Sequence, residues 1–145
     1  MIGLNLKVEL PESVRKKIIT EAGIEELNIK LCLPIDIAPG GKFITGWTVV
    51  TEKKIIIVYK QDNRIEIDAI YELENISRFE VKNEIGNSHL EATFIDEDKE
   101  DGFSRQIKLL RVSVEHRPEY LTGLKYLNRL ADGEELPPLP EPETD

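Results

Sequence analysis

The chain has little of the chemistry that many enzymes and metal sites need. It contains 1 cysteine, 2 histidines and 1 tryptophan in 145 residues. The single cysteine, Cys32, excludes an intramolecular disulfide, and one cysteine with two scattered histidines lacks the ligand spacing of a zinc site. The longest apolar run, Ile55 to Tyr59, is the length of a strand, far below the roughly 20 residues that cross a bilayer. We therefore expect no metal ion and no membrane-spanning helix.

Basic residues are also scarce relative to acidic ones. The 19 Lys and Arg against 28 Asp and Glu give a formal net charge of −9 at pH 7. Such a charge repels polyanions, so we expect no nucleic-acid partner. The chain opens with MIGLNLKVELPES, which has no secretory leader. Together with the single cysteine, this start favours a reducing, intracellular setting and a soluble, cytoplasmic chain.

The apolar pattern predicts a mainly β fold. A short first helix is expected in PESVRKKIITEAG, where Pro11 suits the first turn and Gly23 suits the stop. Seven strand-like stretches then follow. They are LNIKLCLPI, FITGWTVVT, KIIIVYK, the alternating segment around Ile65 and Ile67, ISRFEVKN, HLEATFI and FSRQIKLLRV. Short turns join most of them, which predicts an antiparallel meander that is curled or closed into a barrel.

Individual strands carry more specific expectations. The run KIIIVYK is continuous and β-branched, so we expect it to be buried on both faces or to be central in the sheet. In FITGWTVVT, Phe43, Trp47 and Val49 are expected on one side, with Trp47 in the core rather than on a ligand platform.

A second helix, from about Pro118 to Asp132, carries an apolar stripe and is expected to plug an open barrel mouth. The ending EELPPLPEPETD holds four of the 8 prolines and several carboxylates, which is typical of a linker or tail. We therefore divide the chain into an N-terminal extension with a short helix (1–26), a barrel with its capping helix (27–133) and an acidic Pro-rich linker or tail (134–145).

Gly40-Gly41-Lys42 resembles the start of a phosphate-binding loop only superficially. A loop of that kind needs G-x-x-x-x-G-K-[ST] between a strand and a helix. Here Asp36 stands at the leading glycine position, Phe43 stands at the Ser/Thr position, and a strand follows. We expect a turn into the second strand instead.

Other candidate sites are equally weak. The acidic segment from Asp96 to Gly102 lacks the glycine and the carboxylate that an EF-hand needs at its sixth and twelfth positions, so a solvated hairpin tip is expected. Cys32 with His89 or His116 has the residue types of a nucleophile and base, but the surrounding leucines indicate a buried, inert cysteine. No catalytic, cofactor-binding or metal-binding residue is predicted, and we do not expect an enzyme.

Arg15, Lys16 and Lys17 form the main basic cluster of the first helix. Three basic residues near anionic lipid contribute roughly 1 kcal/mol each and are opposed by the acidic balance of the domain. We expect them to form a solvated helix face rather than a membrane contact.

The segment GWTVVTEKKIIIVY resembles the hairpin between the second and third strands of bacterial PH-like domains. The wider order, from LCLPIDI to YLTGLKYLNRLADGEE, is similar to the N-terminal domain of some bacterial ABC exporters that fuse permease and ATPase in one polypeptide. This resemblance covers about Leu27 to Glu135. It implies a PH-like or GRAM-like antiparallel barrel of about seven strands with a C-terminal helix.

The resemblance also implies a role. This chain would be a non-catalytic accessory or regulatory domain that acts through protein contacts on the cytoplasmic side of the membrane. ATP and Mg²⁺ would belong to the parent transporter, and no cofactor to this chain. The expected partners are other domains of the same transporter, or a second copy in a homodimer formed through barrel-edge strands. Membrane proximity would come only through the parent.

One alternative role is a free-standing PH-like or GRAM-like module for a membrane surface, a lipid or a small ligand. Phosphoinositide binding is disfavoured, because the loop PIDIAPGGK offers only Lys42 and also carries the carboxylate of Asp36.

Overall fold

A computed structural model describes residues 4–95 and 104–140 of the chain. Helix α1 spans Glu12–Ala22 and helix α2 spans Arg117–Ala131. The strands between them are β1 (Leu31–Ile37), β2 (Phe43–Val50), β3 (Lys54–Gln61), β4 (Arg64–Glu72), β5 (Ile76–Glu84), β6 (Asn87–Ile95) and β7 (Ser104–Ser113). A 3₁₀ turn, Leu73–Asn75, joins β4 to β5. Neither helix combines the length and the apolarity that are needed to cross a membrane.

All seven strands belong to one antiparallel sheet with the order β4-β3-β2-β1-β7-β6-β5. The fold class predicted from the sequence is therefore confirmed: mainly β, with a short N-terminal helix and a C-terminal helix. The sheet is curled, because the rings of Tyr71 on β4 and Phe94 on β6 lie 5.2 Å apart although their strands are far apart in the sheet order. It is not closed, since no pairing joins β4 to β5 among the described residues.

Helix α2 occupies the free edge of β5. The side-chain amide of Asn128 accepts a hydrogen bond from the backbone N–H of Phe79 at 2.7 Å and donates one to its carbonyl at 3.2 Å. These are the two groups that a neighbouring strand would otherwise pair. The side chain of Asn128 thus occupies the position of a further strand and protects the edge of β5 from pairing with another chain.

A second opening lies between β1 and β7, which pair only at Ile37 and Arg111. We call the remaining edge of β1 on the side of β7, where the two strands do not pair, the seam. The N-terminal segment fills part of it, because the N–H of Cys32 donates to Leu6 at 2.9 Å and the N–H of Val8 donates to Cys32 at 3.0 Å. Leu6 also enters the core, so the predicted extension 1–26 contributes to the barrel interior.

The sheet has an apolar layer on each face. The inner cluster lies under α2 and includes Phe79, Tyr120 and Leu127. The outer cluster lies under α1 and joins its buried Val14 and Ile18 to the outer residues of β1, β2 and β3. The prediction for KIIIVYK is confirmed, since all four residues from 55 to 58 have no exposed surface.

Trp47 lies in the outer cluster, as expected for a core residue. Phe43 is different. It begins β2 and is 86% exposed, because the outer cluster along this strand does not extend beyond Trp47 and Val49. The prediction placed Phe43 on one side of the strand with these two residues, and its exposure shows that it does not share their burial.

Gly46 on β2 provides a direct test of this packing. A Cβ at this position would lie 2.7 Å from Cδ1 of Tyr59 and 2.8 Å from the carbonyl oxygen of Val58. We expect Gly46→Ala to lower the free energy of unfolding by about 1–3 kcal/mol, as overpacking does in tightly filled sites. Urea denaturation of the purified chain measures the change.

Gly40→Ala is the matched control. Among residues 4–95 and 104–140, nothing lies within 4 Å of a Cβ at Gly40, and no positive φ requires glycine there. An equal loss of stability in the two variants would contradict the packing described for β2 and β3.

Candidate functional site

The residues Pro39-Gly40-Gly41 form a hairpin turn, as predicted. The N–H of Gly41 donates to the carbonyl of Ala38 at 2.8 Å, and the N–H of Ala38 donates to Lys42 at 2.8 Å. The chain then enters β2 rather than a helix. A phosphate loop relies on a helix N-terminus beside the phosphates, and this turn has none.

Cys32 lies fully buried on β1 in the outer cluster. Burial raises the pKa of its thiol to about 12, and the nearby Arg15 only partly offsets this effect. Among the described residues, no hydrogen bond joins Cys32 to His89 or His116, and both histidines lie beside carboxylates instead. The cysteine–histidine pair considered from the sequence is therefore not assembled.

His89 lies between two carboxylates on the outer face of β5 and β6. Its Nδ1 is 2.8 Å from Glu84 and its Nε2 is 3.2 Å from Glu91. Lys108 also donates to Glu84 at 2.9 Å, and the hydrogen bonds from Lys108 and His89 lower the pKa of this carboxyl. Every potential base here already has a partner, so the group acts as a cross-strand link between β5, β6 and β7.

A second polar group joins β1, β7 and the start of α2 at the end of the seam. The carboxylate of Asp36 accepts hydrogen bonds from the N–H of Ser113, at 2.8 Å, and from its hydroxyl. His116 follows β7, with its Nε2 4.0 Å from Asp36 and its Nδ1 3.6 Å from Glu119. Both of these distances are too long for hydrogen bonds.

This seam group has the residue types of a catalytic triad without its geometry. In a triad the hydroxyl bonds to the imidazole, which accepts its proton. Here the hydroxyl of Ser113 donates to a carboxylate, and within the described part of the chain Nδ1 of His116 and Oε2 of Glu119 are buried without a hydrogen-bond partner. The arrangement instead forms a polar link between β1 and β7, in a region where the two strands have little backbone pairing.

The basic residues of α1 are partly engaged. Arg15 donates to the carbonyl of Leu27 at 3.5 Å, and Lys17 pairs with Glu21 at 2.8 Å. Lys16 is exposed. The acidic segment from Asp96 to Gly102 lies outside the described residues. Within residues 4–95 and 104–140, no three side chains of His, Cys, Asp or Glu are grouped as ligands for a metal ion.

The surface of the described residues includes two large open grooves. One of about 670 Å³ runs between the segment 7–10, the start of α1 and residues 27–30. The other, of about 440 Å³, lies between the β2–β3 turn and the C-terminal end of α2. Charged side chains of both signs line each groove, whereas sites for small molecules are mostly apolar and enclosed.

Exposed apolar side chains are the main surface feature that the sequence did not reveal. Besides Phe43, the two-residue turn between β5 and β6 presents Ile85, which is 101% exposed. Val114 and Leu121 are about half exposed. Ile85 and Val114 lie at the same end of the sheet, because Asn87, two residues after Ile85, pairs with Ser113, the residue before Val114. A signal was available in the sequence, where an isoleucine precedes Gly86 in an otherwise polar turn.

No protein-family model matches the chain, and a comparison with curated proteins also gives no match.

The buried thiol gives a testable expectation. Because burial raises the pKa of Cys32 from 9.0 to about 12, the folded chain at pH 8 holds about a thousandfold less thiolate than an exposed cysteine. We expect Ellman's reagent to leave Cys32 unmodified in the folded chain and to modify it readily in concentrated urea.

The same shift affects stability at high pH. Because the pKa of the Cys32 thiol is higher in the folded chain than in the unfolded one, its deprotonation favours unfolding. The contribution of the protonated thiol to the free energy of unfolding is therefore complete below pH 9 and is lost as the pH rises towards 12. The Cys32→Ala chain is the control, because it has no thiol and should not show this loss of stability.

Equal rates of modification by Ellman's reagent in folded and unfolded chains would contradict the burial of Cys32.

Proposed function

We propose that this chain is a non-catalytic accessory domain that works by contacts with other proteins. The observation that carries the proposal is the full exposure of Ile85 at the tip of the β5–β6 hairpin. An exposed isoleucine adds nothing to the burial that stabilises a fold, and exposed apolar residues mark a contact surface when they are grouped rather than scattered singly. Val114, which is 52% exposed, is a second apolar side chain at the same end of the sheet.

The finer proposal is that the domain belongs to a bacterial ABC exporter and acts on the cytoplasmic side of its membrane. Its support is the sequence resemblance of the region from Leu27 to Glu135. Within this proposal, ATP and Mg²⁺ act in other parts of the parent, and the contact surface meets those parts or a second copy. Sequencing the coding region beyond Asp145 tests the parentage. Membrane spans and a GxxxxGK[ST] motif are expected, and an immediate stop codon would contradict it.

Photo-crosslinking tests the contact role directly. We would place a benzophenone amino acid at Ile85 in the full chain, expressed in the source organism, and identify adducts by mass spectrometry. The control places it at Asn63, which is also exposed in a two-residue hairpin turn. We expect a protein adduct from position 85 and at least tenfold less from position 63. No adduct, or equal yields from the two positions, would contradict the proposal.

A second candidate function is binding to a membrane surface. One observation favours it, since Lys42 and Phe43 are adjacent and exposed where the β1–β2 turn ends. A basic residue beside an exposed aromatic ring suits an anionic interface. The net charge of −9 opposes it.

Liposome sedimentation separates the two functions. If the domain acts through protein contacts, it stays in the supernatant with anionic and neutral vesicles at both low and high salt. Sedimentation with anionic vesicles that Phe43→Ser abolishes and Ile85→Ser leaves unchanged would favour the membrane role instead.

A further inference from the structure

The segment after α2, predicted from its composition to be a linker or tail, packs against the barrel. Leu136 and Leu139 are half-buried and contact the inner cluster. Pro137, Pro138 and Pro140 are exposed. We call residues 134–140 the strap. Its leucines face the core while its prolines face outwards, so it contacts the barrel along one side.

The sequence of the strap explains this arrangement. Each proline fixes its own φ and also pushes the residue before it into an extended conformation, which applies to both leucines. Extended, proline-rich chains repeat about every three residues, in the manner of polyproline II. Leucines three positions apart therefore lie on the same side of the segment, which is the side that meets the inner cluster.

The end of α2 directs the chain into this position. The N–H of Gly133 donates to Leu130 at 3.0 Å, and the N–H of Glu134 donates to Arg129 at 2.9 Å. These two bonds and the φ of 76° at Gly133 form a Schellman motif. The motif ends the helix sharply and turns the chain, so the strap begins beside the last turn of α2.

The strap also borders the groove of about 440 Å³. Leu136 lines that groove with Leu130 of α2, Lys30 before β1 and Lys53 in the β2–β3 turn. Glu134 and Glu135 line the same groove as these two lysines. Glu52 lines the groove beside Lys53, so charges of both signs surround the apolar contact.

We propose that this end of the inner cluster is a binding site for an extended, proline-rich protein segment with leucines three residues apart. Residues 134–140 occupy it within the same chain. A tethered segment needs little intrinsic affinity, because its effective concentration is in the millimolar range. The site is therefore filled at rest, and a segment of the same chemistry from another chain binds it when the strap is released. This inference is independent of the contact role of Ile85.

The test uses the full chain with Leu136→Ser and Leu139→Ser, whose strap loses its apolar anchors. Isotope-labelled variant and wild-type chains are titrated with the acetylated peptide EELPPLP to about 5 mM, in the range of the effective concentration of a tether. We expect saturable shifts of the amide signals of Lys30, Lys53 and Leu130 in the variant. In the wild-type chain the shifts should be at least fivefold smaller, because the strap occupies the site.

Two controls make the result specific. The peptide EESPPSP keeps the charges and prolines and should bind at least fivefold more weakly than EELPPLP. A chain with Leu121→Ser, an exposed leucine elsewhere on α2, should respond like the wild type. Absence of shifts in the strap variant, or equal binding of the two peptides, would overturn the proposal.

If the double variant does not fold, the single variant Leu139→Ser replaces it in the same titration. An independent measurement uses the wild-type chain with labelled methyl groups. Nuclear Overhauser contacts from the methyls of Leu136 to those of Leu130 are expected, and their absence would likewise overturn the proposal.

Discussion

The hydroxyl of Tyr120 is the contact on which the arrangement of sheet and helix depends. It lies 2.8 Å from the hydroxyl of Thr48 and donates to the carbonyl of Pro34 at 3.0 Å, with only 1% of the residue exposed. Pro34 has no N–H, so its carbonyl is the group that needs a partner at this point of the seam. Burial accordingly raises the pKa of Tyr120 well above its ordinary value and keeps the hydroxyl protonated.

Other openings of the sheet are filled in the same way. Asn128 bonds to the free edge of β5, the N-terminal segment pairs with Cys32, and Asp36 bonds to Ser113. Side chains and terminal segments thus satisfy groups that strand pairing leaves free. With these contacts in place, the sheet is covered at its openings although it is not closed.

Much of the fold could be predicted from the sequence. The strand order along the chain, the burial of KIIIVYK on both faces and the limits of α2 to within one residue follow from periodicity and turn residues. Contacts between distant segments could not be predicted. Local pattern does not show that Asn128 bonds to Phe79, that Leu6 enters the inner cluster, or that α1 covers the outer one. The exposure of Ile85 was missed because a single apolar residue beside a turn glycine resembles the last buried residue of a strand.

A double-mutant cycle between Thr48→Val and Tyr120→Phe tests the central contact most directly. Each substitution removes one hydroxyl and keeps the approximate shape of the side chain, so the cycle isolates the coupling between them. We predict a coupling of about 1–2 kcal/mol in the free energy of unfolding, the range of a buried hydrogen bond between neutral groups. A coupling indistinguishable from zero would contradict the account, because the two hydroxyls would then contribute no stabilising hydrogen bond between α2 and β2.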